Sequence, residues 1–312
     1  MNKPIYFNIS IDVDTYATDY LTSSCNIEKM VISSYATGLD KLLTYLEKKN
    51  IKVTLFVIAD HVKFNFVQDY LKNVIANGHE IASHSLSHRR NFSKLNLDEL
   101  DDEIRKSKET IEDVLGIQVK GFRAPGYTIT LKIWELLIKN GFTYDASLNN
   151  SLFYYAFKVL YKFFSTKGDF FVVQKLKEFP LDSSPFQVNK SYFNNSYSNV
   201  FWEIPFNYSK LISFPFLIFM LNQLPNYISK NMVKVAAASQ KEIIQIQFHD
   251  YDLLTLEDIG SFSADIYFIK KYIKKSVEKR TVLYDSIITN LFSNRMPILL
   301  KDYVQMRSGN PA

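Results

Sequence analysis

The sequence predicts an α/β fold in which parallel strands are joined by helices. Segments with strand-like alternation or β-branched content alternate at least five times with segments whose apolar residues recur at helical spacing. The polar side chains that could carry chemistry each follow a predicted strand, and a parallel barrel gathers the loops after its strands on one rim. We therefore predict a (β/α) barrel. An open doubly wound sheet is the alternative, and it would spread these side chains more widely.

The first half of the chain holds five predicted strands and four predicted helices. Each strand is a short run rich in β-branched and aromatic residues. The helices have apolar stripes or end at Asn-Gly or Gly, which are typical stop signals. The predicted strands cover residues 5–11, 51–58, 79–82, 119–122 and 142–144. The predicted helices cover residues 37–49, 66–76, 97–115 and 131–139.

The regular alternation is lost between residues 149 and 240, a stretch rich in aromatic residues. Within it, residues 178–180 and 203–205 resemble two short strands, each closed by proline. We predict a single domain over residues 1–312 with an aromatic-rich insertion at about 149–240. Regular patterns return in a predicted strand at 243–248, helices at 264–275 and 283–292, and a last strand or turn at 296–305.

Composition and charge argue against several classes of protein. The net charge is +5, and the lysines are scattered rather than clustered, which argues against nucleic-acid binding. Cys25 is the only cysteine, so an intramolecular disulfide is not possible. The first residues lack the apolar core and cleavage site of a secretory signal, and no apolar run reaches the ~20 residues that span a bilayer. We therefore expect a cytoplasmic protein.

Peripheral contact with a membrane is a further expectation. The segment 151–164 is aromatic and contains Lys158 and Lys162, and the segment 211–221 is apolar but interrupted by Pro215. Both segments could rest on a bilayer, with the lysines near lipid phosphates. The alternative, which we favour, is that both segments pack over the barrel as a lid.

Two histidines four residues apart, His84 and His88, indicate a candidate metal site. This spacing can place both imidazoles on the same side of one helical turn, where they could bind one divalent cation. The chain contains only five histidines in 312 residues, so a pair at ligand spacing is informative. Taken alone, the pair could also arise by chance or stabilise a structural turn.

Two carboxylates, Asp12 and Asp14, follow the first predicted strand and point to the same side of an extended chain. Their like charges would repel unless a cation lay beside them, so that one carboxylate binds the cation and the other accepts a proton. An Asx turn or helix cap is the alternative. With His84 and His88, Asp14 would form a two-histidine, one-carboxylate site whose open positions suit a catalytic metal. Zinc suits these ligands best, and manganese, cobalt, nickel or iron(II) could also bind.

Five short segments resemble, in the same order, the motifs of the polysaccharide deacetylase family, also called the NodB-homology domain or carbohydrate esterase family 4. They lie within residues 5–150 and 243–253, whereas residues 151–240 match no motif. An ordered match of five motifs is far more specific than any one of them. The segments are Asp12-Val-Asp14, His84-Ser-Leu-Ser-His88, Phe122-Arg-Ala-Pro-Gly126, Asp145 and Phe248-His249.

The resemblance implies a role for each residue near the metal. Asp12 matches the general base that activates the attacking water. Arg123 matches the arginine that holds this base in place by an ion pair. Asp14 matches the acid that binds the metal together with His84 and His88.

The resemblance also assigns residues to the acyl group and to the leaving amine. The backbone N–H of Gly126 would help to stabilise the oxyanion, and Tyr127 beside it would line the substrate groove. His249 matches the general acid that protonates the leaving amine, with Asp145 as the carboxylate that tunes it. Family members adopt a distorted (β/α) barrel of the glycoside hydrolase/deacetylase type and hydrolyse N-acetyl, occasionally O-acetyl, groups on sugars.

The sequence departs from the family pattern at two places. The two acids of the first motif are usually adjacent, whereas Val13 separates Asp12 from Asp14 in this chain. The third motif usually has an aromatic residue after the proline, whereas Gly126 stands there and Tyr127 follows. A backbone donor tolerates the second change, but the wall of the groove beside it must differ.

From these motifs we predict a metal-dependent carbohydrate deacetylase, a hydrolase that removes an N-acetyl or other acyl group from an amino sugar. Because no export signal is visible, the expected substrate is a lipid- or nucleotide-linked intermediate, or a glycan, of surface-polysaccharide biosynthesis. A deformylase of a lipid-linked amino sugar is one alternative, although the Arg-x-Pro motif argues against it. A catalytically inactive glycan-binding barrel is another, although every motif residue is present. His61 and His79 are interpreted as structural.

Overall fold

A curved, mostly parallel β-sheet positions the candidate site residues. In the computed structural model, the described residues are 4–14, 27–89, 91–156, 159, 179–180, 182–188, 192, 200–209, 213–239, 242–259 and 274–309. Within these residues, nine strands form one sheet. The strands are β1 (Tyr6–Val13), β2 (Thr54–Val57), β3 (Glu80–Ser83), β4 (Gly121–Phe122), β5 (Tyr144–Asp145), β6 (Phe186–Val188), β7 (Phe201–Glu203), β8 (Ile243–His249) and β9 (Met296–Pro297).

The order of the strands explains why the site residues can meet. The order is β6, β7, β5, β4, β3, β2, β1, β8, and β9 also pairs with β1. Every pairing between these strands is parallel except that of β6 with β7. The carboxyl ends of the parallel strands therefore share one edge, where Asp12 lies opposite His249 and Asp145 lies opposite Glu203.

The sheet curls into a barrel whose last gap, between β7 and β8, is bridged by irregular chain at residues 204–209 and 213–217. The Phe216 N–H donates to the Asn207 carbonyl over 2.9 Å, and the Gln247 N–H on β8 donates to the Phe216 carbonyl over 3.3 Å. Leu217 also forms an isolated parallel bridge with Gln247. The predicted distorted (β/α) barrel is confirmed.

Helices surround the sheet and bury apolar stripes in the core. The longest of them, α4, buries Leu100, Ile104, Ile111 and Leu115, which recur at helical spacing. A π-helix at Ser34–Leu39 leads directly into α2. The α-helices are α1 (Ile27–Ser33), α2 (Asp40–Glu47), α3 (Asn65–Ala76), α4 (Leu97–Leu115), α5 (Leu131–Lys139), α6 (Ile218–Leu221), α7 (Asn226–Ser239), α8 (Leu256–Ile259), α9 (Val277–Phe292) and α10 (Leu300–Arg307).

The helices whose boundary signals are clearest in the sequence are confirmed. α4 and α5 begin and end at the predicted residues. The last predicted strand or turn, at 296–305, is wrong in its second half, because α10 forms there. The buried residues Leu300, Tyr303 and Val304 have helical spacing, and they pack against the core after a two-residue strand. Most of the predicted helix at 264–275 lies outside the described residues.

Part of the predicted insertion belongs to the barrel itself. β6 and β7 lie within residues 149–240 and extend the sheet beside β5. In the described part of the segment 211–221, Phe214, Phe216 and Leu217 are buried. These side chains belong to the hydrophobic core.

The segment 151–164 is described only at 151–156 and 159, so Lys158 and Lys162 lie outside the described residues. In its described part, Leu152 and Phe153 are exposed. Among the helices of the described chain, none combines the length and the apolar composition that crossing a membrane requires.

The N-terminus of α4 is fixed by a reciprocal pair of hydrogen bonds. The Asn96 side chain accepts from the Glu99 N–H over 2.9 Å, and the Glu99 carboxylate accepts from the Asn96 N–H over 3.2 Å. This capping box satisfies two N–H groups that would otherwise lack partners at the start of the helix. The helix ends at Gly116, whose φ of 66° is readily adopted only by glycine.

We expect Asn96→Ala to lower the free energy of unfolding by about 1 kcal/mol, because alanine cannot accept the hydrogen bond at the helix start. Urea denaturation followed by circular dichroism would measure this change. The control is Asn73→Ala on the exposed side of α3, where alanine favours the helix. Equal stability of the Asn96→Ala variant and the wild-type protein would contradict the capping role.

Candidate metal and catalytic site

Three side chains converge at the carboxyl ends of β1 and β3. Asp14 directly follows β1, and His84 and His88 lie in the loop that directly follows β3. The His88 Nε2 lies 3.4 Å and the His84 Nε2 lies 3.9 Å from Asp14 Oδ2. One ligand atom from each of the three residues lies within 4.8 Å of the others. The structure thus brings together the three residues that the sequence predicted as metal ligands.

The two imidazoles converge through a loop and not through the helical turn that their spacing suggested. Residues 84–88 are not helical. Ser85 and His88 have positive φ values of 69° and 56°, which few residues other than glycine adopt. These two left-handed residues reverse the chain, and the His84 and His88 rings come within 4.8 Å of each other. The expected geometry was wrong, although the residues that it selected do meet.

His84 is held in an orientation that suits metal binding. Its Nδ1 lies 2.7 Å from the carbonyl oxygen of Arg123, and an N–H at Nδ1 would leave the Nε2 lone pair directed at Asp14. Burial lowers the pKa of His84 to about 4, so the imidazole is neutral, as a metal ligand must be.

Asp14 supplies the anionic ligand of the cluster. Burial by itself would raise its pKa, but the interactions with His249 and His88 outweigh burial and hold the pKa well below its usual value. Two imidazole nitrogens and one carboxylate oxygen are a donor set that fits a divalent metal such as zinc, with further coordination positions left open. The residues present therefore fit the metal that the motifs imply.

Asp12, the predicted base, is buried and forms an ion pair with Arg123. The Arg123 NH1 donates to Asp12 Oδ1 over 2.5 Å, and both side chains are fully buried. The guanidinium lies 3.9 Å from the centre of the Phe56 ring and 4.7 Å from that of Phe206. It also donates through Nε to the Ala146 carbonyl over 3.0 Å. The structure therefore places Arg123 where the motif resemblance expects it.

The other oxygen of Asp12 accepts two further hydrogen bonds. The Tyr127 hydroxyl donates to Asp12 Oδ2 over 3.0 Å, and the Gln247 amide donates to the same atom over 3.1 Å. Burial and the nearby charge of Asp12 hold the pKa of Tyr127 well above its usual value, so the phenol stays protonated and can donate.

The turn after β4 carries Gly126 and Tyr127, the residues expected at the acyl group. Both have positive φ values, 62° for Gly126 and 54° for Tyr127. The Tyr127 N–H donates to the Ala124 carbonyl over 3.0 Å and is therefore occupied. The assignment of the Gly126 N–H to the oxyanion stays a prediction.

His249, the predicted acid, lies at the end of β8 beside this turn. Its ring stacks on Tyr251 with centres 4.6 Å apart and an angle of 11° between the planes. Its backbone N–H donates to Asp252 over 2.7 Å, which fixes the chain there. The His249 Nε2 lies 3.2 Å from the Tyr127 hydroxyl. Asp12, the predicted base, and His249, the predicted acid, therefore both lie within hydrogen-bond distance of the Tyr127 hydroxyl.

The carboxylate of Asp145 binds groups other than His249, the partner that the motif resemblance implies. Its carboxylate accepts from the Ser147 hydroxyl over 2.5 Å and from the Trp134 indole over 3.4 Å, and it contacts Glu203. Among the hydrogen bonds of the described residues, none joins Asp145 to His249. The physical reason is topological, because β7 and the bridging residues 204–209 and 213–217 separate the strand of Asp145 from that of His249.

Glu203 is a buried acidic residue that the sequence analysis treated only as part of a short strand. It faces Asp145 across the β5–β7 pairing, and the Trp134 indole donates to it over 3.2 Å. Burial and the charge of Asp145 raise the pKa of Glu203 well above its usual value, and burial also raises the pKa of Asp145. The pair of carboxyl groups therefore carries one proton, and this proton is on Glu203.

Polar residues that recur at every second position along β1 and β8 are a sequence signal for other residues of the barrel interior. Ser10 precedes Asp12 and Asp14 at the same spacing, and Gln245 and Gln247 precede His249. In the structure Arg123 donates to both Ser10 and Gln245. The alternation of polar residues along β1 and β8 is therefore the signal that marks the inward-facing side of these strands.

The two remaining histidines lie outside the cluster of three. His79 accepts from the Val53 N–H over 3.2 Å and lies 2.9 Å from Glu47, as expected of a structural residue. His61 is buried and lies 3.3 Å from the Tyr35 hydroxyl. Burial lowers the pKa of His61 to about 3, so its ring is neutral.

The comparisons with known proteins agree with this geometry. The family model "Polysaccharide deacetylase" matches residues 28–144. The peptidoglycan deacetylase of Helicobacter pylori is 31% identical over 116 residues, which are 37% of this chain and 39% of that protein. Chitin deacetylase 1 of Cryptococcus neoformans is 30% identical over 102 residues, which are 33% of this chain and 21% of that protein.

The fold is shared with solved structures of the same kind. A structure from Mycobacterium smegmatis, assigned to the polysaccharide deacetylases, aligns with a TM-score of 0.65 over 99% of this chain and 92% of that chain at 13% identity. The resemblance predicted from the five motifs is confirmed, because residues 28–144 match the polysaccharide deacetylase family model. The chain spans well under half of the length of the two curated relatives named above.

We expect Glu203→Gln to change how stability depends on pH. As pH rises above the usual pKa of a glutamate, the unfolded chain loses the proton that folded Glu203 keeps. The free energy of unfolding of the wild type therefore falls, by on the order of 1 kcal/mol per pH unit, until the buried proton is also lost. Glutamine removes this contribution, so the variant should gain stability relative to the wild type between about pH 5 and pH 8.

Urea denaturation at a series of pH values would measure this difference. Glutamine can still accept from the Leu148 N–H, which Glu203 binds over 3.0 Å, so the hydrogen-bond pattern is largely kept. The control is Glu257→Gln at an exposed position, which measures how the loss of one surface carboxylate changes the free energy of unfolding. Parallel curves for the wild type and Glu203→Gln would show that Glu203 does not hold a proton in the folded protein.

Proposed function

We propose that this protein is a metal-dependent hydrolase that removes an N-acetyl group from an amino sugar. The observation that carries the proposal is the position of Asp12. Its buried carboxylate is paired with Arg123 and lies two residues from Asp14, within the same strand end that contributes to the cluster of Asp14, His84 and His88. A candidate base beside a candidate metal site is the arrangement that amide hydrolysis with an activated water requires.

Asp14, His84 and His88 would hold the metal. A divalent ion, for which zinc suits these ligands best, would act there as a Lewis acid that polarises the acyl carbonyl and lowers the pKa of a water. Asp12 would accept the proton of the attacking water. The ion pair with Arg123 keeps this carboxylate in one orientation, because the guanidinium is itself fixed by the Ala146 carbonyl.

The other end of the reaction requires a proton for the leaving amine. His249 would supply it. The stacking of its ring on Tyr251, at the same rim of the barrel as Asp12, supports this role. The backbone N–H of Gly126, in the turn after β4, would stabilise the negative charge on the acyl oxygen.

The substrate class follows from the relatives. The two curated relatives are named for the deacetylation of peptidoglycan and of chitin, which are both polymers of N-acetylated amino sugars. An N-acetylated amino sugar is therefore the proposed substrate of this protein. We further propose that the sugar belongs to a lipid-linked, nucleotide-linked or polymeric intermediate of surface-polysaccharide assembly in the cytoplasm.

Asp12→Asn should lower kcat by about 10²–10⁴-fold, because asparagine cannot accept the proton of the water. Acetate release from an N-acetylglucosamine tetramer by the zinc-loaded protein would measure this loss. Zinc content should be unchanged, since Asp12 is not a ligand. Asp113→Asn on the exposed face of α4 is the matched control. A wild-type rate for Asp12→Asn would remove Asp12 as the base.

His84→Gln should weaken zinc binding by more than about 100-fold, because even changes to groups that only orient a ligand cost 10–100-fold. Competition with a chromogenic zinc chelator would measure the affinity without any substrate. The matched control is His79→Gln, which changes a buried histidine outside the cluster. Equal zinc affinity of His84→Gln and the wild type would contradict the proposed site.

A further inference from the structure

The Tyr127 hydroxyl lies between the two groups that exchange protons with the substrate in the proposed reaction. It is 3.0 Å from Asp12 Oδ2 and 3.2 Å from the His249 Nε2. Asp12 and His249 lie opposite each other on β1 and β8, yet among the hydrogen bonds of the described residues none joins their side chains directly. The Tyr127 hydroxyl and the Gln247 amide each lie within hydrogen-bond distance of both side chains.

The backbone at Tyr127 has an unusual conformation. Its φ of 54° is in the left-handed region, which is strained for a residue other than glycine. The hydrogen bond to the Ala124 carbonyl holds the backbone there, and the ring packs 4.8 Å from that of Phe206. This conformation directs the phenol into the barrel towards Asp12.

Among the described residues, three side chains donate to Asp12, and of these three only Tyr127 can transfer a proton onward. Arg123 donates to Asp12, but a guanidinium contains no atom that can accept a proton in return. The amide of Gln247 does not ionise. The hydroxyl of Tyr127 can give one proton while it accepts another.

We propose that Tyr127 is a catalytic residue whose hydroxyl carries a proton from Asp12 to His249, an inference that rests on the proposed function. Asp12 Oδ2 first takes a proton from the attacking water. That proton then passes to the Tyr127 oxygen while the phenolic proton passes to the His249 Nε2. The step leaves Asp12 as a carboxylate, Tyr127 as a phenol and His249 as an imidazolium.

The rest of the reaction then balances without another proton source. The oxygen of the water and its second proton leave in the released acetic acid, and the bond between the acyl carbon and the nitrogen breaks. The departing nitrogen takes its proton from the imidazolium of His249. The proton that Asp12 removed from the water is thus replaced at the amine, and all three side chains return to their starting states.

Tyr127→Phe tests this relay, because it removes the hydroxyl and keeps the ring. With the zinc-loaded protein and an N-acetylglucosamine tetramer, kcat should fall by about 100-fold or more while KM changes by less than about twofold. Zinc content should stay unchanged. Tyr154→Phe is the matched control, since this buried tyrosine has its ring 5.9 Å from that of Tyr127.

Two kinetic results would overturn the relay. One is a kcat of Tyr127→Phe within threefold of the wild type. The other is a raised KM with unchanged kcat, which would make Tyr127 a group that only binds substrate. A wild-type protein that releases no acetate would instead remove the proposed function.

A second measurement needs no substrate. In ¹⁵N-histidine-labelled protein, His249→Gln identifies the ring signals of His249 among the five histidines. Tyr127→Phe should shift these signals, because it removes a hydrogen bond to Nε2, and Tyr154→Phe should not. Unchanged His249 signals in Tyr127→Phe would overturn the relay whether or not the protein is active on the tetramer.

Discussion

The ion pair between Arg123 and Asp12 is the interaction on which the rest of the site depends. Burying both charges costs several kcal/mol per ion, so the pair is tolerated only because their other polar atoms are satisfied. The guanidinium presents its N–H groups in one plane, and it binds Asp12, Gln245 and the Ala146 carbonyl at once. One side chain on the chain after β4 thereby connects β1, β8 and the loop after β5.

Arg123 also connects the candidate base to the candidate metal ligands. Its side chain fixes Asp12, and its backbone carbonyl lies 2.7 Å from Nδ1 of His84. Because one residue contacts both groups, a shift of the strand end would move the base and a metal ligand together. Their relative position is therefore set by covalent geometry within Arg123 as much as by packing, which is the preorganisation that catalysis requires.

Asp145 illustrates how a motif residue can stabilise a site without contacting His249, the predicted general acid. Together with Glu203 it forms a buried pair that holds one proton. Asp145 binds the Ser147 hydroxyl, and Ser147 in turn accepts from the Ala124 N–H over 2.7 Å. The carboxyl pair thus supports the turn that carries Tyr127.

Local periodicity in the sequence determined the alternation of strands and helices and the bounds of α4 and α5, because these depend on neighbouring residues. Short motifs in the sequence identified the three candidate metal ligands. The pairing of Asp145 with Glu203 and the place of the Tyr127 hydroxyl were decided only by the tertiary structure. These contacts join residues 58 or more positions apart, and the closure of the barrel, through irregular chain between β7 and β8, brings them together. No short sequence window contains that information, since strand order and closure depend on packing across the whole core.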